Sequence, residues 1–274
     1  MPIELWRETH PIEGPIFKLK WAEKHLKTID EYLIKYEALN PTSMVCKLNA
    51  DKTFYECSLS SLTPPFLDFG IAIGEFSYQV RSAMDHIIYA LAEFPASLSP
   101  RDLDRAERTT SFPISLVRND SFIDSQIQYV RASIRPAVRK VVDAVQPYQR
   151  GNRDQARTDP LALLDEVNRI DKHRVFRGTK VNIHIDRANI APGIKVLATG
   201  STNHGDVFAW IPANLDPKVE FYPRVSFEVV LPVIGPSGGM VRMGSLGIVH
   251  NCVRNFILPQ FVSFFDPLPP SVLI

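Results

Sequence analysis

The feature that most constrains this chain is an apolar helix that carries charged residues in its middle. Residues 67–94 are apolar around most of a predicted helix, which is typical of a helix at the centre of a bundle. The segment Arg81-Ser-Ala-Met-Asp-His86 interrupts this run with three ionisable side chains. Because an unpaired charge is costly to bury, these side chains indicate either an ion-paired contact between core helices or a functional site.

A second polar cluster ends another predicted helix, in the segment Asn168-Arg-Ile-Asp-Lys-His-Arg174. Asp159-Pro160 begins that helix in the favoured way, with Asp as the N-cap and Pro at the first helical position. The basic residues of the last turn are partly explained by the negative end of the helix dipole.

Helix geometry separates the residues that have a structural explanation from those that do not. Arg81 and Asp85 are spaced i, i+4 and are predicted to form an ion pair on one helix face. His86 lies about 140° around a straight helix from Arg81. These two side chains therefore converge only if the helix is distorted or if a symmetric partner supplies one of them. The residues hardest to explain by structure alone are His86, Asn168 and Asp171.

The remaining sequence predicts an α+β protein, namely a helical bundle with an inserted β-hairpin, followed by an antiparallel sheet and a C-terminal helix. Apolar residues at helical spacing predict helices over residues 17–39, 67–94, 121–145, 160–174 and 245–259, with a possible kink at Pro136. Residues 95–110 and 149–158 are polar and are predicted to be loops. Strand-like runs predict the hairpin at 43–57 and four or five strands between residues 179 and 243.

The order of these elements also predicts the domain organisation. Strands that follow the helices, rather than alternate with them, favour α+β over a doubly wound fold. We predict a helical bundle over residues 1–177, and a sheet with a C-terminal helix and an apolar tail over residues 178–274, packed together as one unit. The tail, from residue 261, is predicted to dock on the core or on a second subunit, and a homodimer is the expected assembly.

Composition excludes several classes of protein. The formal net charge is +1, from 31 basic and 30 acidic side chains, so the chain does not coat nucleic acid by bulk charge. We expect no membrane span and no signal peptide, because no long apolar run occurs. Three cysteines, Cys46, Cys57 and Cys252, indicate a reducing, cytoplasmic location, where Cys46 and Cys57 would make only a packing contact across the hairpin.

Metal chemistry is a further alternative for the two polar clusters. They contain the carboxylate and imidazole groups that Zn, Mn or Fe bind, at Asp85, His86, Asp171 and His173. The spacings His-x3-His and Glu-x-x-His are absent, as are a Walker loop and Gly-x-Gly-x-x-Gly. We therefore predict no metal and no cofactor, and keep a metal-dependent hydrolase that uses Asp and His from two helices as a third reading.

Two groups of motifs resemble known families. The pattern Arg-x4-His, from Arg81 to His86, is similar to the R-x(4–6)-H signature of the HEPN superfamily, small helical bundles found in toxins, abortive-infection proteins and RNA-processing enzymes. The combination of Arg-Ser-Ala-Met-Asp-His, Phe112-Pro-Ile114, Gln146-Pro-Tyr148 and Asn-x-x-Asp-Lys-His-Arg resembles a family of uncharacterised bacterial proteins over roughly residues 17–177. The second resemblance carries no assigned function.

The HEPN resemblance implies a metal-independent ribonuclease of the defence or toxin type that acts as a homodimer. It implies that His86 is a general acid or base and that Arg81 stabilises the charge of the phosphorane. The predicted catalytic set is Arg81, Asp85, His86, Asn168, Asp171 and His173. A basic stretch over residues 131–157 adds predicted RNA-binding residues, Arg139, Lys140, Arg150 and Arg153.

The main alternative is a non-enzymatic module that senses a ligand or binds a protein partner. In that case the two polar clusters form a structural network between core helices, and the basic stretch is a solvated face.

Overall fold

The structure is a computed structural model, and it describes part of the chain. The described residues are 10–39, 42–62, 67–93, 98–172, 180–183, 191–197, 200–202, 205–217, 227–232, 240–242, 244–266 and 268. The predicted α+β class is confirmed, with helices in the first and last parts of the chain and antiparallel strands between them.

The chain divides into two compact units. Unit 1 contains Met1–Lys27, Ile71–Val175 and Gly244–Ile274, and unit 2 contains Thr28–Gly70 and Phe176–Met243. The hairpin thus groups with the later strands, and the C-terminal helix groups with the bundle. This division differs from the predicted one, which separated the chain at residues 177 and 178, because contacts in the fold join segments that are distant in sequence.

The described helices are named in chain order. They are α1 (Glu13–Ala38), α2 (Leu67–Glu93), α3 (Pro100–Thr109), α4 (Asp120–Gln126), α5 (Arg135–Ala144), α6 (Arg153–Arg157), α7 (Pro160–Asp171), α8 (Gly244–Cys252) and α9 (Leu258–Val262). A π-helical turn, Val253–Ile257, joins α8 to α9. Short 3-10 turns occupy Pro147–Arg150 and Ser263–Phe265.

Three predictions about helices were wrong. The segment 95–110 contains α3, which begins where Ser99 accepts a hydrogen bond from the Asp102 N–H. The segment 149–158 contains α6, which begins with a capping box. The predicted helix 121–145 is two helices, and Pro136 lies in the first turn of α5, where its missing N–H has no intrahelical partner to lose.

The core of unit 1 is built around α2. Its side chains Ile73, Phe76, Val80, Met84, Ile87 and Leu91 are fully buried, and each contributes about 1.5–3 kcal/mol relative to exposure. The start of the apolar tail also docks here, because Phe261 and Phe265 are fully buried and Phe261 meets Phe112 edge-on. None of the described helices has an apolar stretch long enough to cross a membrane.

Unit 2 contains two antiparallel sheets. Its strands are β1 (Thr42–Leu48), β2 (Phe54–Leu62), β3 (Lys180–Ile183), β4 (Lys195–Val196), β5 (Gly200–Thr202), β6 (Val207–Pro212), β7 (Phe227–Pro232) and β8 (Met240–Arg242). One sheet has the order β1-β2-β6-β4 and the other β5-β3-β7-β8. The predicted hairpin is confirmed as β1 and β2, and its second strand pairs with β6 rather than standing alone.

Cys46 and Cys57 face each other directly in the register of β1 and β2. They are joined by a disulfide, with Cα atoms 4.1 Å apart. The prediction that this pair makes only a packing contact was therefore wrong. Disulfides persist mainly in oxidising compartments. The bond therefore argues against the reducing, cytoplasmic location that was predicted from the sequence.

A thiol count tests the disulfide. We expect one free thiol per chain in protein that is purified without reductant and unfolded, because Cys252 is the free cysteine. Prior reduction is expected to raise the count to three, the number of cysteines in the chain. A count of three before reduction would contradict the bond.

Candidate functional site

A cleft of about 450 Å³ opens in unit 1 along one face of α2. Side chains from α2, α3 and α7 and from the residues just after α3 and α7 line it. They are Tyr78, Arg81, Ser82, Asp85, His86, Tyr89, Glu107, Thr110, Asn168 and Lys172. Four of the predicted catalytic residues, Arg81, Asp85, His86 and Asn168, therefore line one cleft.

Arg81 and Asp85 together hold the backbone of Phe112. The predicted ion pair is present, with Arg81 Nη2 at 3.0 Å from Asp85 Oδ1. The same Nη2 donates to the Phe112 carbonyl at 2.7 Å. The Phe112 N–H in turn donates to Asp85 Oδ1 at 2.8 Å. Both backbone polar groups of a residue with a fully buried side chain are thus satisfied by α2.

The contacts with Asp85 and Phe112 leave little of the Arg81 guanidinium open to the cleft. The side chain of Arg81 is only 15% exposed. Its Nη1 is buried and has no hydrogen-bond partner among the described residues. Burial raises the pKa of the Asp85 carboxyl, and the Arg81 charge and the Phe112 N–H partly offset that rise. The ion pair and the hydrogen bonds to Phe112 therefore account for most of the contacts of Arg81 and Asp85, and these contacts are structural.

The motif segments Phe112-Pro-Ile114 and Gln146-Pro-Tyr148 belong to the same structural network. Gln146 is buried and accepts a hydrogen bond from the Ser115 N–H at 3.0 Å. Its Nε2 donates to the Pro113 carbonyl at 2.8 Å. The Tyr148 hydroxyl donates to the Asp143 carboxylate, and burial together with that carboxylate raises the pKa of Tyr148 to about 12.

His86 has a different environment from Arg81, because its side chain is exposed. Its Nε2 lies 3.5 Å from the Ser82 hydroxyl, one helical turn earlier. Partial desolvation and then the positive charge of Lys18 lower the pKa of His86, and Asp85 partly offsets them. The lowered pKa favours the uncharged imidazole at neutral pH, and this form has a lone pair with which to accept a proton.

The end of α7 contributes further polar groups to the cleft. Asn168 is buried, whereas Lys172, one turn later, is exposed. Tyr89 donates to Glu107 of α3 at 3.4 Å. The cleft thus presents an imidazole, an ammonium group and two phenol rings to a ligand.

Of the two remaining predicted catalytic residues, Asp171 lies away from His86 and His173 is not described. The Asp171 carboxylate packs on α2 at Gly74, where an added Cβ would clash with its Oδ1. Gly74 precedes His86 by about 18 Å of helix rise, so the two side chains are out of hydrogen-bond reach. Burial and then Glu75 raise the pKa of Asp171. His173 lies outside the described residues.

Two of the four predicted RNA-binding residues form ion pairs with carboxylates of the same chain. Arg139 contacts Asp120, Asp124 and Asp143 at 2.6, 2.8 and 3.1 Å. Arg150 contacts Asp159, the N-cap of α7, at 2.6 Å. Lys140 and Arg153 are exposed, and no ion pair within the described part of the chain includes them.

A metal centre gains no support from the described residues. Among them, no group of three or more His, Cys, Asp or Glu side chains is placed to hold a metal ion. Two of the ligands considered from sequence also have different neighbours, because Asp85 of α2 accepts a hydrogen bond from the Phe112 N–H, whereas Asp171 packs against Gly74, eleven residues before Asp85.

Several residues of the cleft were missed from sequence. Tyr78, Ser82 and Tyr89 were missed, although with the predicted His86 they follow one another at spacings of four, four and three residues, which places all four on one helix face. Lys172 follows Asn168 by one turn in the same way. Glu107 and Thr110 come from α3 and its end, which the sequence did not predict.

Comparison with other proteins adds no assignment. No protein-family model matches the chain, and neither curated proteins nor solved structures give a significant match to it.

Proposed function

We propose that the protein cleaves single-stranded RNA without a metal ion and that His86 is the general base. The observation that supports this proposal is an exposed imidazole that shares a cleft with an exposed ammonium group. A general base must be unprotonated at the working pH and open to its substrate, and an exposed histidine with a lowered pKa suits both conditions.

The proposed reaction uses the 2′-hydroxyl of RNA as its own nucleophile. His86 removes the proton of the 2′-hydroxyl, and the 2′-oxygen forms a bond to the adjacent phosphorus. The bond from phosphorus to the 5′-oxygen breaks, and that oxygen takes a proton from an acid. The products are a 2′,3′-cyclic phosphate and a 5′-hydroxyl, so the reaction needs neither water nor a metal ion.

Lys172 is better placed than Arg81 to act on the reacting phosphate. Arg81 is held by Asp85 and Phe112, and its remaining amino group is buried. Lys172 is exposed at the cleft, where its charge would stabilise the phosphorane and its proton would reach the leaving oxygen. In the predicted homodimer, a second imidazole is the alternative acid.

The test is cleavage of a labelled single-stranded RNA in EDTA. We expect the purified protein to shorten the strand and to leave 2′,3′-cyclic phosphate ends. An intact strand after prolonged incubation with excess protein would contradict the proposal.

A change at Lys18 tests whether His86 is the base. Activity falls as the pH drops through the pKa of a base, and for His86 that pKa lies below the ordinary value of 6.5. Lys18→Met removes a positive charge that lowers this pKa, so the acidic limb of the kcat/KM profile is expected to move to higher pH. Lys27→Met is the control, because Lys27 is 70% exposed and pairs with Glu23. If the acidic limb of the kcat/KM profile lies at the same pH in the two variants, His86 is excluded as the titrating base.

A second candidate function is the binding of a small polar ligand without turnover. It is favoured by the polar lining of the cleft, in which Asn168, Lys172 and the side chains of Tyr78 and Tyr89 border one space of about 450 Å³. A rise in Tm with nucleotides or small anions, in protein that does not cleave RNA, would favour this function.

A further inference from the structure

We propose that the N-terminal half of α1 binds single-stranded RNA and leads it into the His86 cleft. The surface is defined by Phe17, Lys18, Lys20, Trp21 and Lys24, and we name it the lysine–aromatic stripe. The inference rests on the proposed ribonuclease function and adds the surface that holds the substrate beside the reacting bond.

The stripe is continuous with the cleft. A Cβ at Gly14, near the start of α1, would lie 3.7 Å from His86 Nδ1. One turn later, Lys18 Nζ lies 5.3 Å from the ring centroid of Tyr78, which lines the cleft. Trp21 follows at a spacing of three residues, so Gly14, Lys18 and Trp21 lie on one side of α1 over about 10 Å of helix rise.

The aromatic rings of the stripe are exposed although α1 already has a buried face. Leu19 and Ala22 pack in the core with 2% and 0% exposure. Phe17 and Trp21 remain 55% and 51% exposed, and Tyr78, whose ring contacts Lys18, is 52% exposed. The packing of unit 1 therefore does not explain why aromatic side chains occupy these exposed positions.

Each exposed ring is paired with a lysine. Lys20 Nζ lies 5.3 Å from the Phe17 centroid, and Lys24 Nζ lies 3.8 Å from the Trp21 centroid. Cation–π contacts at exposed sites are weak, whereas stacking of a nucleic-acid base on an aromatic ring is the stronger contact. A base can therefore displace the ammonium group, which then lies beside the phosphate of the same nucleotide.

Charge favours a polyanionic ligand over a second copy of the chain. Glu23 is the only carboxylate between residues 14 and 29. It is matched by Lys27 at 3.2 Å and by Arg254 at 3.0 Å. Two such stripes facing each other across a two-fold axis would oppose lysines to lysines, whereas a single strand of RNA offers phosphates to the lysines and bases to the rings.

Binding is measured by the fluorescence anisotropy of a labelled nine-nucleotide RNA, with full-length His86→Asn protein so that the strand stays intact. Adding Trp21→Ala is expected to weaken binding about tenfold. Adding Phe256→Ala is the control, because Phe256 is 68% exposed and lies outside the stripe. Lys20→Met is expected to lower the slope of log Kd against log salt concentration by about 0.7.

The outcomes separate the stripe from the proposed chemistry. Equal RNA affinity with and without Trp21→Ala would overturn the stripe, even if His86 cleaves RNA. Binding that depends on Trp21 in a protein that never cleaves RNA would contradict the ribonuclease proposal and keep the stripe. Trp21→Ala that leaves RNA affinity unchanged but abolishes binding to anionic lipid vesicles, or dissociates a dimer, would assign the surface to that partner and overturn the inference.

Discussion

Arg81→Ala is expected to lower the free energy of unfolding by about 3 kcal/mol, so that its main effect is on the fold. The substitution leaves the Asp85 carboxylate without its counter-ion and the Phe112 carbonyl without its donor. Hydrogen bonds to charged groups contribute about 1.5–3 kcal/mol, and this pair is only 15% and 31% exposed. The HEPN resemblance implies instead a loss of activity in a protein of normal stability.

The matched control is Arg108→Ala. Arg108 and Asp104 form the same i, i+4 contact at 2.8 Å, but their side chains are 75% and 57% exposed. Exposed pairs of this kind contribute about 0.3–0.5 kcal/mol. Urea denaturation of both variants measures the difference, and an Arg81→Ala protein as stable as Arg108→Ala but inactive on RNA would restore a catalytic role for Arg81.

The loss of stability in Arg81→Ala is also expected to depend on pH. The folded-state pKa of Asp85 is raised above the ordinary value of 3.8, and removal of Arg81 raises it further. A carboxyl with a raised folded-state pKa contributes stability that is present below its unfolded-state pKa and is lost as the pH rises through the folded-state value. The deficit of the variant should therefore be smaller near pH 4, where only the loss of the hydrogen bond to the Phe112 carbonyl remains, and reach its full size at neutral pH.

His86→Asn is expected to lower kcat for RNA cleavage by about 10²–10⁴-fold, the usual contribution of a general base. Its free energy of unfolding should change little, because His86 is exposed and its contact with Ser82 is 3.5 Å long. Asparagine keeps a polar side chain there and removes the titrating ring.

The control for His86→Asn is His25→Asn, because His25 is partly exposed on α1 and does not line the cleft. We expect its kcat to equal that of the unchanged protein. Equal kcat in both variants would show that cleavage does not use His86, and preparing them in parallel also identifies any contaminating ribonuclease.

Helical periodicity explains how much of the fold and cleft could be predicted. α2 is apolar around most of its circumference, and α7 begins at an Asp-Pro pair, so both follow from local sequence. α3 does not, because its ten residues contain only Leu103 and Ala106 as apolar side chains. Two apolar residues at a spacing of three form an apolar stripe too short to be distinguished in sequence from a polar loop.

The roles of the site residues depended on contacts that sequence does not encode locally. Arg81 and Asp85 were correctly paired by their spacing, but Phe112, the residue they hold, is 31 positions from Arg81. Asn168 and Asp171 are three residues apart on α7, yet one lines the cleft and the other packs on Gly74. The face of a helix can be predicted, whereas the neighbour of each position on that face depends on packing.

The most direct test of the proposed ribonuclease is a pair of RNA strands that differ by one oxygen. The position of cleavage is first mapped in EDTA, and a second strand is then made with a single 2′-deoxynucleotide on the 5′ side of that bond. We predict 2′,3′-cyclic phosphate and 5′-hydroxyl ends from the all-ribose strand and no cleavage at the substituted position. Cleavage of the substituted bond, or ends with a 5′-phosphate, would contradict attack by the 2′-hydroxyl and with it the role proposed for His86.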